Sequence, residues 1–511
     1  MEKECILGID VGTSSCKTIL LDKSGETVAS STREYPIFVP KAGWTEQNPE
    51  DWWKAVKESI KEIVERSGER KSIKAIGLTG QMHGLVALDK EGNILRPCIL
   101  WNDQRCAPQC EEIYEKVGGK EKLLSYINNS MLPGYTAGKI LWVKENEPRI
   151  YEKIAKVLVP KDYIRYRLTG EYATEVSDAS GTGLFNVEER KWSDRLLEIL
   201  EIPKEWMPEC YESSEISGTV LDSITEELGL PSKLPVAGGG GDAVIQAVGA
   251  GIVSEEVALS VIGTSGVISV SLPHYYKNPE GKLQFFCNVM PDKWIAFGCT
   301  LNGGSALRWF RDTLGGLEVE LSKNLNESAY DILTMEAKKS PPGSNGLVFL
   351  PYLAGERCPY TDPDAKGVFV GLGLNSKKCD IIRSVYEGVA FNLRDVLECV
   401  NQIGIFPEEI RASGGGAKST FWRQIQADVF NKEVTTVRYS EEGAALAAAI
   451  VAGVGAGIWS RVEEATFLFP VETRTKPNPK NVEIYDKVFS VYRKIYPQLK
   501  SIFNELSSFP G

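Results

Sequence analysis

Acidic side chains stand beside glycine-rich or hydroxyl-rich turns at two places in this chain of 511 residues. Asp10 opens the segment Asp10-Val11-Gly12-Thr13-Ser14-Ser15, and Asp242 follows four consecutive glycines at 238–241. Such turns expose backbone N–H groups and small hydroxyls without a Cβ in the way, which suits a polyphosphate. A carboxylate beside a polyphosphate supplies hard oxygen ligands for Mg²⁺, or a base for phosphoryl transfer. The pattern therefore indicates magnesium-dependent phosphate chemistry.

Two further turns of the same kind occur in the second half of the chain. Gly263-Thr264-Ser265-Gly266 joins two predicted strands, and Ser413-Gly414-Gly415-Gly416-Ala417-Lys418-Ser419 leads from a strand into a helix. Each turn alone is explained by ordinary hairpin or capping chemistry, and the four together favour a nucleotide site. The sequence has no G-x-x-x-x-G-K-[ST], and no G-x-G-x-x-G opens a βα turn, so P-loop and Rossmann sites lose their main support.

The composition excludes several classes of protein. With 58 basic against 69 acidic residues and a net charge of −11, the chain lacks the charge of a nucleic-acid binder. The only two histidines, His83 and His274, exclude a histidine-rich metal cluster, and we assign His274 a structural role. Eleven cysteines without a C-x-x-C pair are typical of reduced thiols in the cytoplasm. We find no leader-peptide pattern and no apolar run of about 18 residues, so we expect a cytoplasmic protein without membrane contact.

The order of elements predicts two related α/β halves with a boundary near 245–255. The first half reads β-β-β-α-β, with a helix capped by Asn48 and Pro49 that ends near Gly68, before a buried strand at 73–80. The second half repeats strands around the turn at 263–266 and strand-to-helix turns near 303 and 415. The run at 444–457, rich in Ala and Gly, predicts a buried helix with small residues at a close contact.

The order of the four turns resembles the sugar kinase/Hsp70/actin ATPase superfamily, and within it the FGGY family of carbohydrate kinases. The segments Gly134-Tyr135-Thr136-Ala137-Gly138-Lys139-Ile140-Leu141-Trp142 and Gly367-Val368-Phe369-Val370-Gly371-Leu372 match two patterns of that family. The segments Gly80-Gln81-Met82-His83-Gly84 and Pro351-Tyr352-Leu353-Ala354-Gly355-Glu356-Arg357 are similar to the members that act on D-xylulose. So are the segments at 44–49, 99–105 and 158–163, and the resemblance covers about residues 6–460.

The resemblance implies an α/β fold of two actin-like (ribonuclease H-like) ATPase domains with a cleft between them. Each domain would hold a mixed five-stranded sheet flanked by helices. Residues 1–248 would bind the sugar, residues 249–460 would bind ATP, and residues 461–511 would form a helical tail that packs back on the body. The activity implied is ATP-dependent phosphorylation of D-xylulose to D-xylulose 5-phosphate. The family also implies a homodimer, although no interface signature is visible in the sequence.

The same resemblance implies a role for each candidate residue. Asp242 would be the general base and would also touch the sugar. If a helix starts at Asp242, its positive end should keep the carboxylate ionised and make it a weak base. Asp10 would hold Mg²⁺ through water. The other sugar contacts would be Met82, His83, Trp101, Asn102 and Asp103. The ATP contacts would be Thr13, Ser14, Lys17, Gly263, Thr264, Gly303, Gly304, Gly415, Gly416 and Ser419.

Alternatives stay open both for single residues and for the function of the whole chain. Trp101 is equally explained by core packing, and Lys17 by an exposed position on a strand. The whole chain is also compatible with an FGGY kinase for another ketose or polyol. Further alternatives are a non-kinase ATPase or binding module of the actin/Hsp70 type, and a kinase-like protein without activity. The sugar-type segments around 81–84 and 101–105 argue against the non-kinase ATPase.

Overall fold

The computed structural model describes residues 4–438 and 443–509, which form two compact units. The first unit contains Met1–Val253, Leu272–Ile295 and Glu442–Pro470. The second contains Ser254–Ser271, Ala296–Glu441 and Val471–Gly511. The predicted division into a sugar-binding domain at 1–248, an ATP-binding domain at 249–460 and a helical tail at 461–511 stays a prediction.

The strands and helices of the chain up to residue 253 are short and alternate frequently. In chain order they are β1 (Cys5–Val11), β2 (Ser15–Asp22), β3 (Thr27–Glu34), β4 (Glu46–Gln47), α1 (Pro49–Ser67), β5 (Ile73–Gly80), β6 (Val86–Leu88), β7 (Cys98–Ile99), α2 (Ala107–Val117), α3 (Lys120–Ile127), α4 (Thr136–Asn146), α5 (Pro148–Tyr151), β8 (Lys156–Leu158), α6 (Pro160–Thr169), β9 (Ala173–Glu175), α7 (Val176–Ser180), β10 (Phe185–Asn186), β11 (Lys191–Trp192), α8 (Asp194–Leu200), β12 (Glu209–Tyr211), β13 (Ile216–Thr219), α9 (Asp222–Leu228), β14 (Pro235–Ala237), β15 (Gly240–Gly241) and α10 (Asp242–Gly249).

The remaining elements include the longest helices. They are β16 (Val257–Ile262), β17 (Gly266–Leu272), β18 (Gln284–Cys287), β19 (Trp294–Thr300), α11 (Gly304–Thr313), α12 (Gly316–Leu325), α13 (Ala329–Ala337), β20 (Val348–Leu350), β21 (Val368–Val370), α14 (Lys378–Gln402), β22 (Glu409–Ser413), α15 (Gly415–Lys418), α16 (Thr420–Phe430), β23 (Glu433–Val437), α17 (Gly443–Gly455), β24 (Val471–Thr475) and α18 (Pro479–Ser507). Short 3₁₀ helices lie at Arg70–Ser72, Lys204–Trp206, Ser344–Gly346 and Val462–Leu468.

The sheet of the first unit is mixed, as predicted, but larger than the five strands expected. Its order is β13-β14-β5-β1-β2-β3, with β15 also paired to β5, which makes seven strands among the described residues. β1 pairs antiparallel with β2 and parallel with β5. The additional strands are the edge strand β13 and the two-residue β15, whose sequences are too short to show a period-2 pattern.

The helix before β5 begins and ends where the sequence predicts. The Asn48 side chain accepts the Glu50 N–H at 3.2 Å, Pro49 is the first helical residue, and Gly68 closes α1 in the left-handed conformation. These features match a side-chain N-cap, a proline at the first position and a glycine C-cap. The predicted boundaries of α1 are therefore confirmed.

Helix α17 lies directly against β1 and β5. A Cβ added at Gly8 would stand 2.0 Å from the Ala445 carbonyl oxygen, and one at Gly77 would stand 1.9 Å from the Ala448 carbonyl oxygen. The predicted helix with small residues at a close contact is thereby confirmed. Because side chains alternate along a strand, Leu7 and its same-face neighbours pack instead into the core with α1 and α6. The first unit thus has three layers.

The second large sheet, built mainly from the second unit, is also mixed and also larger than the five strands expected. Among the described residues it has seven strands in the order β18-β19-β17-β16-β22-β23-β24, with β16 antiparallel to β17 and parallel to β22. Helix α18 packs against α14, α16 and β20 of this unit. In the part of the chain that the structure describes, no helix is both long enough and apolar enough to cross a bilayer.

Candidate active site

Two carboxylates meet at one edge of the first sheet. Asp10 lies near the carboxyl end of β1, opposite Thr79 on the parallel strand β5. The pair Gly240-Gly241 of β15 runs parallel to the last residues of β5, and Asp242 follows as the first residue of α10. Since the carboxyl ends of parallel strands share an edge, this topology brings Asp10 and Asp242 together.

The pKa of the Asp242 carboxyl is raised to about 7, because burial disfavours the charged form and the Asp10 carboxylate adds repulsion. The Ala243 N–H donates to Asp242 Oδ1 at 2.7 Å and opposes this shift, but its effect is smaller. The expectation that the helix end makes Asp242 a weak base is therefore wrong, because its raised pKa makes the carboxylate a stronger base than an ordinary aspartate. A helix end contributes about 1 kcal/mol, which is less than the cost of withdrawing a carboxylate from water.

Asp10 shares this environment. Burial raises its pKa to about 6, and the Lys17 ammonium partly counteracts the shift. Lys17 lies directly opposite Asp10 in the β1–β2 pairing, which explains their interaction. Asp10 Oδ1 is buried and has no hydrogen-bond partner among residues 4–438 and 443–509. An orphaned carboxylate oxygen at this position fits a site for a cation or its water shell.

The turn after β1 is held from three sides. The Tyr35 hydroxyl donates to the Gly12 carbonyl oxygen at 2.6 Å, and the Gln47 amide donates to the Thr13 carbonyl oxygen at 2.7 Å. The Trp101 indole N–H donates to Thr13 Oγ1 at 3.0 Å. Ser14 is exposed at the tip of the turn. The predicted phosphate turn is thus a loop held by three hydrogen bonds, with an exposed hydroxyl at its tip.

Met82 lies beside Gly241, the residue before Asp242, and both Met82 and His83 lie beside Gly181. The Met82 side chain is only 3% exposed, and a Cβ at Gly241 would stand 2.6 Å from its methyl carbon. His83 has a positive φ of 69°, and its Nδ1 lies 2.5 Å from the Gly181 carbonyl oxygen. The imidazole also contacts the Tyr135 ring, with centroids 4.9 Å apart. Two of the five predicted sugar contacts thus lie together, and one of them, Met82, borders the residue that precedes the predicted base.

The segment Trp101-Asn102-Asp103 divides into exposed and buried members. Trp101 is 42% exposed, so core packing does not explain it. Asn102 Oδ1 accepts the Thr45 hydroxyl at 2.7 Å. Asp103 is fully buried, and its carboxylate pairs with Arg105 at 2.7 Å and accepts the Thr45 N–H at 2.6 Å. Asp103 thus holds the loop that presents Trp101 and Asn102.

A pocket of about 780 Å³ lies within the second unit. Of the seven ATP contacts predicted there, its wall includes Gly263, Thr264, Gly304, Gly415, Gly416 and Ser419. Gly303 is not in the wall, but its N–H donates to the Thr264 carbonyl oxygen at 3.0 Å. The two turns approach so closely that a Cβ at Gly304 would stand 2.6 Å from the Gly263 carbonyl oxygen. The Ser419 hydroxyl caps α16 by accepting the Trp422 N–H at 3.3 Å.

Sequence reasoning missed the opposite wall of this pocket. Leu307 and Arg308 of α11, Tyr330 of α13, Tyr386 of α14 and Trp422 of α16 complete it. These residues come from helices with no motif of their own, and the only available signal was the pair of aromatic residues flanking the turn at 413–419. A pocket with glycine turns on one side and rings and aliphatic side chains on the other suits a flat heterocycle joined to phosphates.

Two models of the FGGY family of carbohydrate kinases match the chain, the N-terminal domain at residues 5–249 and the C-terminal domain at residues 258–456. The xylulose kinase of Bacillus subtilis (strain 168) is 38% identical over 506 residues, or 99% of each chain. Two crystal structures from Lactobacillus acidophilus, a ligand-bound xylulose kinase and a gluconate kinase, each match with a TM-score of 0.92 and 29% identity. They cover 98% and 99% of this chain and 100% of their own. The predicted actin-like ATPase fold is confirmed, and the chain belongs to the FGGY family of carbohydrate kinases.

Proposed function

We propose that the protein transfers the γ-phosphoryl group of ATP to the terminal hydroxyl of D-xylulose, giving ADP and D-xylulose 5-phosphate. The observation that carries this proposal is the grouping of Asp242 and Asp10 with Met82 and His83 at one sheet edge. It stands in a chain that is 38% identical over its length to a xylulose kinase.

Asp242 takes the proton of the sugar hydroxyl as that oxygen attacks phosphorus. With a pKa raised to about 7, the carboxylate is a stronger base than an ordinary aspartate and is still substantially ionised at neutral pH. The bond from phosphorus to the bridging oxygen of ADP breaks as the bond to the sugar oxygen forms. Since this transition state is loose, correct placement of the hydroxyl contributes more than base strength.

His83 orients the sugar through one defined nitrogen. A carbonyl oxygen only accepts hydrogen bonds, so the contact with Gly181 places the proton of the neutral ring on Nδ1. Nε2 then accepts from a sugar hydroxyl. Met82 supplies an apolar wall beside Gly241, and Trp101 offers its exposed ring to the C–H surface of the sugar.

The glycine-lined pocket of the second unit binds the adenosine of ATP. Thr13, Ser14 and Lys17 would contact phosphate groups, and Asp10 would hold Mg²⁺ through water. When bound, Mg²⁺ neutralises charge on the phosphates. The unpartnered Asp10 Oδ1 and its hard oxygen chemistry fit this ion. We also propose the cytoplasm as the location and a homodimer as the assembly.

A second candidate function is phosphorylation of another sugar or sugar acid. The gluconate kinase from Lactobacillus acidophilus matches this chain as well as the xylulose kinase does, with equal TM-score and identity. The fold therefore does not determine which sugar is phosphorylated. That specificity must come from the side chains near Asp242.

The test is ADP release with MgATP across D-xylulose, D-ribulose, D-gluconate and glycerol. We expect D-xylulose to give the highest kcat/KM by at least about tenfold, which corresponds to 1.4 kcal/mol of transition-state discrimination. A higher kcat/KM for any of the other three would assign the second candidate function. ADP release that does not depend on any acceptor would contradict both.

A further inference from the structure

A buried ionic cluster lies beneath the glycine run that precedes Asp242. The Lys161 ammonium is 2.7 Å from Asp162 Oδ1, 3.4 Å from Glu175 Oε1 and 3.3 Å from Asp178 Oδ2. All four side chains are 0% exposed. Withdrawing such charges from water is costly, and apolar residues of similar volume often stabilise a fold as well. Stability alone therefore does not explain the presence of these buried charges.

The cluster reaches the glycine run through two serine hydroxyls. Ser177 donates to Glu175 Oε1 at 2.9 Å and accepts the Gly241 N–H at 3.0 Å. Ser213 donates to Glu175 Oε2 at 2.7 Å, and its carbonyl oxygen accepts the Gly239 N–H at 2.8 Å. The run Gly238–Gly241 is thereby tied to one carboxylate at two points.

The start of the run is anchored by a second cation. Arg165 donates to the carbonyl oxygens of Ala237 at 2.7 Å and Gly238 at 2.5 Å, and it also pairs with Asp162. Consecutive glycines have more conformational freedom than any other backbone. Bonds from Arg165 and Ser177 at the two ends remove that freedom immediately before Asp242.

The helix that carries Ser177 also contacts the imidazole of His83. α7 spans Val176–Ser180, and the next residue, Gly181, places its carbonyl oxygen 2.5 Å from His83 Nδ1. A Cβ at Gly181 would stand 2.6 Å from the imidazole ring. One short buried segment therefore sets the backbone before Asp242 and the orientation of His83.

We propose that Ser177 is a positioning residue for Asp242. Its hydroxyl joins the Glu175 carboxylate of the buried cluster to the Gly241 N–H. It thereby fixes the backbone before Asp242, and so the position of the base relative to the sugar hydroxyl. This inference rests on the proposed function, in which Asp242 is the base. Displacement of a catalytic group by about 1 Å costs about 10²-fold in rate, so one lost hydrogen bond here should be visible in kcat.

The test compares Ser177→Ala with Ser180→Ala. Ser180 is the matched control because it lies on the same helix, is equally buried, and its hydroxyl accepts the Cys287 N–H at 3.0 Å instead of a glycine N–H of the run. We expect kcat with the sugar to fall about tenfold or more in Ser177→Ala, with KM for ATP changed less than about twofold. Ser180→Ala should keep kcat within about twofold. An unchanged kcat in Ser177→Ala, or an equal loss in Ser180→Ala, would overturn the proposal.

A double variant tests whether the effect passes through Asp242. Because Ser177 acts on the base, Ser177→Ala should lower the residual rate of Asp242→Asn by less than about twofold. A loss as large as in the wild-type background would mean that Ser177 acts elsewhere. If Ser177→Ala does not fold, Ser213→Ala is measured in its place. It should show the same selective loss of kcat, and an unchanged kcat would overturn the proposal.

Hydrogen exchange separates this inference from the proposed function. The amides of Gly239 and Gly241 should exchange faster in Ser177→Ala than in Ser180→Ala, whatever the substrate is. If the wild type does not phosphorylate D-xylulose, the proposed function fails, while faster exchange still supports the anchoring of the loop. If exchange is equal in the two variants, the positioning role is wrong even in an active kinase.

Discussion

At the scale of single residues, the site depends on two carboxylates whose charges are held close together. Their shared edge follows from strand pairing, since Asp10 lies near the end of β1 and Asp242 follows β15 on the other side of β5. Burial raises the pKa of Asp10 to about 6 and that of Asp242 to about 7, and repulsion from the Asp10 carboxylate adds to the shift of Asp242. A pair of neighbouring acids with raised pKa values is a common mark of a functional site. Of the two, Asp242 is the residue proposed as the base.

Replacing Asp242 by Asn should abolish most of the sugar phosphorylation. The amide cannot accept a proton, so we expect kcat to fall about 10²–10⁴-fold while the melting temperature is kept or raised. ADP release with D-xylulose measures the rate. Asp222→Asn is the control, because Asp222 also begins a helix but is exposed, and it should leave kcat unchanged. Normal turnover in Asp242→Asn would remove Asp242 from the mechanism.

A second residue-scale prediction concerns Glu356, which is buried in the second unit. Burial raises its pKa to about 7, against hydrogen bonds from the N–H groups of Arg357 and Leu301 and from the Asn392 amide. The folded protein therefore holds this proton more tightly than the unfolded chain between pH 4.5 and 7. Stability from this group falls as the pH rises through that window, and no more is lost above it.

Glu356→Gln should consequently be more stable than the wild type above pH 7, by up to about 3 kcal/mol, and equal to it near pH 4. The amide oxygen keeps both backbone bonds. A rotated Asn392 amide would gain a donor for its Oδ1, which has no partner among the residues that the structure describes. Urea unfolding at pH 4, 5.5 and 8 measures the difference. Exposed Glu483→Gln should leave the pH profile unchanged, and a destabilised Glu356→Gln at pH 8 would contradict the argument.

At the residue scale, the sequence predicted which residues form the site better than it predicted their burial, protonation and partners. Asp10, Met82, His83 and Asp242 were available from motifs, but the protonation of Asp242 was not, because it depends on burial by segments far away in the chain. Lys161 lies in the quoted segment 158–163 and still gave no local sign of its three acidic partners. The sequence did not decide whether Trp101 packs in the core or contacts the sugar, and only the structure shows that its ring is exposed.

At the scale of elements, the site depends on the contact of α17 with β1 and β5. The strands are positioned by glycines that let a helix backbone approach within van der Waals distance. Strand-turn-helix units such as 48–68 were predictable because caps and turns are local. The edge strand β13 and the pairing of β15 were not, because they are set by tertiary packing.

Gly77→Ala should therefore lower stability sharply. The new Cβ would stand 1.9 Å from the Ala448 carbonyl oxygen, which is backbone and has little room to move. We expect the apparent melting temperature to fall by several degrees, in line with overpacking costs of about 1–3 kcal/mol or more. Gly316→Ala is the control, because no atom stands within 4 Å of its Cβ position and its backbone is helical. Equal melting temperatures for the two variants would contradict the close contact.

At the scale of the whole molecule, each unit carries its own group of candidate ligand contacts. Gly415→Leu would fill part of the pocket in the second unit, where the nearest atom to a Cβ is 3.9 Å away. We expect it to raise KM for ATP about tenfold or more and to leave KM for the sugar within about twofold. Met82→Ala should do the reverse. Initial rates with each substrate varied in turn measure both constants, and an identical response of the two variants would contradict this assignment.

The position of α17 also bears on how the chain is made. β1 and β5 leave the ribosome early, but the helix that covers their glycine face is translated after almost all of the second unit. Until then the nascent first unit lacks the helix that packs on the glycine face of β1 and β5. A ribosome stalled at residue 430, before α17 is translated, should therefore hold a first unit that is more sensitive to protease than the first unit of the full chain.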